Sequence, residues 1–275
     1  MKLIFNKWND VDIEKYKESI RQTGFLHIQN FITPKEVEEI LEEQNIIEKR
    51  WIREKKEAMF GVPILYGTDL DGTTIIQRSP FMSLNTSYFD DSNLKKRLDT
   101  LRKIIGEEFR MGEKENDGAV FNHYIKLKGQ ESRKKLGWHT DSGRDFWTLD
   151  KPQLFYNIGI HLDDCPKSKG GLRLLLGSHA QSVWGMLFGK WHFIDHRQDK
   201  NEYAVETKAG DLTIHDGRIW HRVAESPLEG NESRRRVLYF PFVRGEVKEK
   251  TENSKAPIYL VLLKKVNSIK NSLLQ

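Results

Sequence analysis

The stretch GDLTIHDGRIWHRVAES, residues 210–226, places two histidines about 80 residues after an H-x-D triplet. The triplet, His139 and Asp141 in GWHTDSG, is by itself compatible with a polar turn at the end of a strand. Its combination with His215 and His221 is more informative. In a jelly roll, the loop after an early strand and the start of a late strand meet at one mouth, so two histidines and a carboxylate can occupy one face of a metal.

From Ala119 onward the chain consists of short β-rich runs separated by turn-rich or polar stretches. Such runs are typical of an all-β core. The sequence therefore predicts a mainly β fold with flanking helices and a jelly-roll core, in a single domain of residues 1–275. We assign residues 1–118 to a helical support and hairpin region, 119–245 to the jelly-roll core and 246–275 to a C-terminal extension. The runs are AVFNHYIKL, QLFYNIGIHL, GGLRLLLGSH, YAVETKAGDLTIHD and RRRVLYFPFV.

Two stretches near the N-terminus carry the boundary signals of helices. Residues 9–23 place apolar side chains at roughly helical spacing in a strongly charged sequence, and Gly24 follows as a C-cap glycine should. In TPKE, Thr33 and Glu36 supply the N-cap hydroxyl and the N3 carboxylate of a capping box, with proline at N1. We expect this second helix to run to about Glu57.

The sequence between that helix and the β-rich runs predicts a hairpin and a further helix. GVPILYGTDLDGTTIIQRSPFM, residues 61–82, is punctuated by Gly, Pro and Asp-Gly and has β-branched arms, which indicates a hairpin. A short helix is expected from Ser92 to about Phe109. Before the capping box, FLHIQNF alternates in the manner of a strand.

Composition and charge favour a soluble globular protein over one that binds nucleic acid. The chain has 45 Lys and Arg against 40 Asp and Glu, and its basic residues are spread in mixed-sign runs such as EKRWIREKKE. Its single cysteine, Cys165, excludes an intramolecular disulfide and fits a reducing cytoplasm. The N-terminus resembles neither a signal peptide nor a membrane span. We expect a cytoplasmic protein with no nucleic-acid or membrane partner.

Two neutral imidazoles and one carboxylate form a ligand set that binds Fe(II) on one face and leaves three positions open. This arrangement suits a metal that must hold a bidentate oxo acid and still bind O₂. Zinc in a catalytic site of the same composition is the alternative, since ligand type alone does not separate the two metals. The three arginines of SRRRVLYF, residues 233–240, supply the cation that an oxyanion cosubstrate requires.

Four segments resemble the phytanoyl-CoA dioxygenase family and occur in the order expected for it. GFLHIQNFITPKEVEEI is similar to the opening of the family, and WHTD to its proximal metal motif. AGDLTIHDGRIWHRVAES is similar to its distal-histidine segment, and LDDCPKSKGGLRLLLGSHA to its long signature. The resemblance runs from about residue 20 to residue 243. It implies a double-stranded β-helix fold and an Fe(II)- and 2-oxoglutarate-dependent oxygenase.

Carried over residue by residue, the resemblance implies that His139, Asp141 and His221 are the metal ligands and the catalytic centre. Related halogenases replace the ligating carboxylate with a small residue to make room for chloride, whereas this chain keeps Asp141. The retained carboxylate therefore favours hydroxylation or another oxidative outcome over halogenation. The resemblance implies Fe(II) with 2-oxoglutarate and O₂, and hydroxylation of an unactivated C–H bond of a small-molecule metabolite with release of succinate and CO₂. It does not imply a coenzyme A substrate.

The resemblance also implies that an arginine of SRRRVLYF pairs with the far carboxylate of 2-oxoglutarate. In a strand, Arg235 lies on the face shared by Val237 and Tyr239, while Arg234 and Arg236 lie on the other. We expect Arg235 to be this arginine, with Arg236 as the second choice.

Other polar residues are less strongly indicated as part of the site. Asn122 stands about where the family places a side chain that touches 2-oxoglutarate, and Asn157 lies on the strand after the proximal motif. We expect both to contact 2-oxoglutarate. His215 matches a variable position before the distal histidine, so we expect it to be structural or adjacent to the ligands. Residues 62–82 and 183–205 are candidates for a substrate lid.

Two other functions stay open on the sequence: a jelly-roll protein that binds a metal or small acid without oxygenase turnover, and a zinc-dependent hydrolase with the same three ligands. The arginine run argues against both, because hydrolysis has no need of an oxo-acid clamp. We expect a monomer or homodimer acting on a small molecule. The substrate cannot be read from the sequence, since pocket residues come from loops.

Overall fold

The computed structural model describes residues 2–90, 92–128, 135–142 and 154–255. The strands are β1 (Ile4–Phe5), β2 (Phe25–Ile28), β3 (Ala58–Met59), β4 (Val62–Pro63), β5 (Leu65–Thr68), β6 (Thr74–Ser79), β7 (Phe109–Met111), β8 (Val120–Lys126), β9 (Leu136–His139), β10 (Phe155–His161), β11 (Gly171–Leu174), β12 (Tyr203–Ala204), β13 (Leu212–Asp216), β14 (His221–Ala224) and β15 (Gly230–Arg244). The helices are α1 (Ile13–Thr23), α2 (Pro34–Glu54), α3 (Asn93–Thr100), α4 (Arg102–Ile105) and α5 (Val183–Phe188).

Two sheets carry most of the regular structure in these ranges. The larger sheet has nine described strands in the order β1-β2-β13-β10-β15-β8-β6-β5, with β7 also paired to β15. The smaller sheet has four, in the order β12-β11-β14-β9. Strands of both sheets line one cavity, which therefore lies between them. The predicted mainly β fold with a jelly-roll core is confirmed.

Side chains alternate along β15, so each of its faces packs against a different layer. Leu238, Phe240 and Phe242 belong to the main hydrophobic core, which lies between the larger sheet and the helices. Val237 and Tyr239 point the other way, into the space between the two sheets. The helices therefore support the sheet from behind the cavity. They contribute Tyr16, Ile20, Ile40, Ile47, Trp51, Leu94 and Leu98 to this core.

The predicted boundaries of the first two helices agree with the structure at the end of α1 and at the start of α2. The start expected at Asn9 is wrong, because residues Asp10–Asp12 form a short 3-10 helix and α1 begins at Ile13. Gly24 takes a left-handed conformation with φ of 72° and ends α1, and Thr33 and Glu36 form both bonds of the capping box at the start of α2. The expected end of α2 at Glu57 is wrong. The helix ends at Glu54 because Lys55 adopts a left-handed conformation, with φ of 51°, and closes it without a glycine.

The expected single helix from Ser92 to Phe109 is also wrong. It consists of two short helices, α3 and α4, and it ends at Gly106, whose φ of 120° is incompatible with a helix. Phe109 instead begins β7 and pairs with Arg244 at the end of β15. The predicted hairpin of residues 61–82 is confirmed as β5 and β6, and β6 extends the larger sheet by pairing with β8.

No helix in the described part of the chain is long and apolar enough to cross a membrane. Of the C-terminal extension expected for residues 246–275, residues 256–275 lie outside the described ranges. Residues 246–255 contain no helix or strand, and Lys250 places its ammonium group 3.6 Å from a carboxylate oxygen of Asp117.

Candidate metal centre

The three predicted ligands meet at one end of the smaller sheet. Strands β9 and β14 pair antiparallel with His221 directly opposite His139, so the centres of the two imidazole rings are 4.0 Å apart. Asp141 follows two residues after β9 and lies between them: its Oδ1 is 3.7 Å from His139 Nε2 and its Oδ2 is 3.6 Å from His221 Nε2. One potential ligand atom from each residue lies within 4.8 Å of the other two. This spacing allows one metal ion to contact all three.

Local backbone contacts fix which nitrogen of each imidazole faces this point. His139 Nδ1 is 2.8 Å from the carbonyl oxygen of Gly137, and His221 Nδ1 is 3.1 Å from that of Ile219. A carbonyl only accepts hydrogen bonds, so each Nδ1 carries the proton and donates it. Each Nε2 is then left with its lone pair directed at the ligand cluster, as metal ligation requires.

Burial keeps both imidazoles neutral. It lowers the pKa of His139 well below the usual value, and the neighbouring His221 adds to this effect while the Asp141 carboxylate opposes it. Burial likewise lowers the pKa of His221 to about 4, again against the attraction of Asp141. A protonated imidazole cannot bind a metal. At neutral pH the cluster is therefore already in the ligating state, with two neutral nitrogens and one carboxylate.

The ligands open onto a cavity of about 340 Å³ between the two sheets. Much of its lining is apolar, and Phe193 stacks on the His139 ring with the ring centres 4.7 Å apart. Phe193 adopts a left-handed backbone conformation with φ of 63°, which is unusual for a bulky residue. The predicted lid segments both reach this cavity, residues 62–82 through Pro63, Leu65 and Arg78 and residues 183–205 through Phe193.

Three polar residues singled out from the sequence line the same cavity. Asn157, on β10, donates from Nδ2 to Asp141 Oδ2 over 3.1 Å. Asn122, on β8, is buried, and its Oδ1 has no hydrogen-bond partner within the described ranges. His215, on β13, is expected from the sequence to be structural or adjacent to the ligands. Its ring centre lies 4.7 Å from that of His221.

The three arginines of β15 have different surroundings. Arg235 is 6% exposed and donates from Nη1 to the carbonyl oxygen of Ala224 over 2.8 Å, and burial lowers its pKa. Its guanidinium lies 5.5 Å from the centre of the Tyr124 ring. Arg236 donates to both carboxylate oxygens of Asp163. Arg234 in turn donates to both oxygens of Asp69.

Arg235 borders a second, smaller cavity of about 30 Å³. Tyr124 and Tyr239 line this space as well as the larger cavity, so they stand between Arg235 and the ligand cluster. The sequence assigned neither tyrosine to the site, and it included Phe193 only within the candidate lid of residues 183–205. The alternation of strand residues could have indicated the two tyrosines, but no sequence signal places Phe193, because its position depends on the path of a loop.

The chain matches the family described as Phytanoyl-CoA dioxygenase (PhyH) over residues 20–226. No curated protein matches it. The match includes all three candidate ligands but ends before the arginines of β15.

Several solved structures have the same fold. The epimerase SnoN, solved in complex with Fe3+, alpha ketoglutarate and nogalamycin RO, has a TM-score of 0.62 at 14% identity, over 89% of this chain and 88% of that one. EvdO2 from Micromonospora carbonacea var. aurantiaca, complexed with 2-oxoglutarate, has a TM-score of 0.62 at 14% identity, over 91% and 98%. The non-heme alpha ketoglutarate dependent carbocyclase SnoK from nogalamycin biosynthesis has a TM-score of 0.59 at 14% identity, over 86% of each chain. These likenesses establish the shared architecture.

Proposed function

The chain belongs to the phytanoyl-CoA dioxygenase family, and from this membership we propose that it is a non-haem Fe(II)- and 2-oxoglutarate-dependent oxygenase that acts on a small molecule. The observation that carries the proposal is the convergence of His139, Asp141 and His221 at a buried cavity, with both imidazoles neutral and both Nε2 atoms available.

The residues present fit an iron ion. Two imidazole nitrogens and one carboxylate on one face are the ligand set typical of non-haem Fe(II) oxygenases, because three positions stay open for cosubstrate and O₂. The backbone bonds of both Nδ1 atoms hold the rings in the ligating orientation before any metal binds. The oxidative decarboxylation of 2-oxoglutarate and the oxidation of the substrate are chemistry that the iron supplies when it is bound.

The chain's own contribution is to bind, orient and exclude water. Asp141 supplies the one negative charge of the ligand set, and Asn157 orients its Oδ2. In our proposal Arg235 pairs with the far carboxylate of 2-oxoglutarate. Burial destabilises the charged guanidinium of Arg235, and a bidentate anion bound beside it offsets that cost. Asn122 contributes an amide to the same ligand.

We propose hydroxylation as the reaction and a small, largely apolar molecule as the substrate. The cavity volume of about 340 Å³ is at the lower end of the range for small-molecule sites, and apolar side chains such as Phe193 and Leu65 border it. The reactions named for solved structures of this fold include an epimerase and a carbocyclase. Product analysis therefore has to accompany any turnover assay.

The test combines spectroscopy with turnover. Anaerobic addition of Fe(II) and 2-oxoglutarate should produce a weak visible charge-transfer band, and succinate should appear only after O₂ is admitted. His139→Ala, Asp141→Ala and His221→Ala should each abolish both signals while the protein stays folded. His123→Gln is the matched control, since His123 is buried but lies outside the cavity lining.

A different result would favour the zinc hydrolase. If the protein retains zinc on purification, gives no band and shows no heat of binding with 2-oxoglutarate, the oxygenase proposal is wrong. Metal analysis of the same sample distinguishes this outcome from simple loss of iron.

A further inference from the structure

His215 is a buried polar side chain for which the ligand assignment leaves no role. It lines the cavity from β13, is 1% exposed, and neither of its ring nitrogens has a hydrogen-bond partner among the residues that the structure describes. An imidazole buried without a partner destabilises the fold, because it has lost its hydrogen bonds to water. A side chain in this state at the edge of a metal cluster is expected to gain a partner when the site is assembled.

Among the described residues, Asp141 is the acidic side chain within ion-pair distance of His215. His215 Nε2 is 3.6 Å from Asp141 Oδ2, the same oxygen that accepts a hydrogen bond from Asn157 Nδ2 over 3.1 Å. Asn157 and His215 are direct neighbours across the pair of β10 and β13. Two side chains of the larger sheet thus approach one carboxylate oxygen from the side opposite to the smaller sheet.

The position of Asp141 between the two histidines explains why its Oδ2 has to be held in one orientation. Its Oδ1 faces His139 Nε2 and its Oδ2 faces His221 Nε2 at almost equal distances, 3.7 and 3.6 Å. A carboxylate in this position can bind a metal through one oxygen or through both. Binding through both would occupy a position that the oxo acid or O₂ requires.

We propose that His215 is a positioning residue that, together with Asn157, holds Asp141 Oδ2 by a hydrogen bond from Nε2–H. Asp141 then binds iron through Oδ1 alone and leaves three positions open. This inference rests on the proposed function. The gap of 3.6 Å closes to a hydrogen bond of about 3 Å through a small rotation of the carboxylate. In the described part of the chain, the group of mutually close ligand atoms contains His139, Asp141 and His221 but not His215, which agrees with a supporting role.

The experiment measures the affinities for iron and for cosubstrate separately. Under anaerobic conditions, Fe(II) binding to the metal-free protein and 2-oxoglutarate binding to the iron-loaded protein are followed by calorimetry and by the visible band. His215→Leu should lower the 2-oxoglutarate affinity at least about tenfold, as expected for a lost hydrogen bond to a charged group, and change the Fe(II) affinity less than about threefold. His215→Gln, which keeps an N–H near the same place, should stay within about threefold of the wild type in both.

A double-mutant cycle distinguishes a positioning role of His215 from a merely structural one. Asn157→Leu should weaken 2-oxoglutarate binding in the same direction. The double variant should lose less than the product of the two single effects, because both side chains act on one oxygen.

Three results would overturn the inference: unchanged 2-oxoglutarate binding in His215→Leu, a loss of iron affinity as large as that of His139→Ala, or full additivity in the cycle. The second result would make His215 a ligand. A wild-type protein that binds Fe(II) but not 2-oxoglutarate would instead contradict the proposed function. If His215→Leu does not fold, His215→Asn replaces it, since its amide ends short of the Nε2 position.

Discussion

At the scale of single residues, the contrast between two consecutive arginines is the most informative feature of the chain. Arg235 is almost fully buried between the sheets, whereas the Arg236 side chain keeps 25% of its surface exposed and forms an ion pair with Asp163. Consecutive strand residues point to opposite faces, so we expect only Arg235, on the face shared with Val237 and Tyr239, to pair with a ligand between the sheets.

Replacing these arginines should therefore have unequal effects. Arg235→Leu should raise the 2-oxoglutarate concentration needed for half-maximal turnover by at least about two orders of magnitude, because it removes one member of a buried charge pair. Arg236→Leu should change it less than about fivefold, since its ion pair is partly exposed. Succinate release at varied 2-oxoglutarate measures both. The reverse ranking would mean that the cosubstrate is held from the other face of β15.

A second prediction at this scale concerns acid stability. Burial, with the neighbouring His27, lowers the pKa of His161 to about 3, so the unfolded chain binds a proton below pH 6.5 that the folded protein does not. The contribution of His161 to the free energy of unfolding is therefore unchanged above pH 6.5. As the pH falls from 6.5 towards 3, the free energy of unfolding decreases by about 1.4 kcal/mol per pH unit because of this residue. His161→Gln should make the slope of unfolding free energy between pH 6 and 5 shallower by about 1 kcal/mol per unit. Urea titrations of the metal-free protein measure this, and an unchanged slope would show that His161 titrates normally in the fold.

At the scale of elements, helix α2 shows how a local motif sets a boundary that the rest of the fold depends on. Its capping box fixes the start of a 21-residue helix whose buried side chains, including Ile40, Ile47 and Trp51, form part of the main core behind the larger sheet. A second local motif closes the far end. Lys55, in a left-handed conformation, donates its backbone N–H to the carbonyl oxygen of Ile52, and Lys56 donates to that of Trp51.

Thr33→Ala should lower the free energy of unfolding by about 1 kcal/mol, because the backbone N–H of Glu36 loses its acceptor. Thr33→Ser keeps the hydroxyl and should stay close to the wild type. Chemical denaturation measures both variants. Iron affinity should be the same in all three proteins, since α2 lies behind the sheet, and a parallel loss of iron would show that the helix shapes the site directly.

At the scale of the whole molecule, the proposed metal joins parts of the chain that are far apart in sequence. His139 and Asp141 belong to the β9 edge, and His221 reaches them from β14, about 80 residues later. Since the unfolded chain does not hold these groups together, metal binding stabilises the folded state.

Cobalt(II), which resists oxidation in air, is a convenient probe of this coupling. At a free concentration 100 times its dissociation constant it should add about 2.7 kcal/mol to the stability of the wild-type protein, seen as a higher unfolding temperature. Asp141→Ala should lose most of this increase, while His123→Gln should keep it. An equal increase in Asp141→Ala would place the cobalt elsewhere on the protein.

Many features of this fold can be predicted from short stretches of the sequence. The glycine after α1, the capping box of α2, the hairpin and the alternation of β15 each depend on neighbouring residues, so they could be predicted before any tertiary contact was known. The types and order of the three candidate ligands could be read in the same way. The same reasoning failed at the end of α2 and at Gly106, where a single residue with positive φ, Lys55 or Gly106, stops a helix that side-chain periodicity would continue.

Contacts between distant segments were decided by the tertiary structure alone. Sheet register places His221 opposite His139 and sets Asn157 beside His215, and the two sheets then bring Asn157 within 3.1 Å of Asp141. A loop of unusual backbone conformation lays Phe193 on His139. The physical reason is that propensities, caps and alternation act over a few residues, whereas a site between two sheets depends on pairings across many tens of residues, which no local pattern specifies.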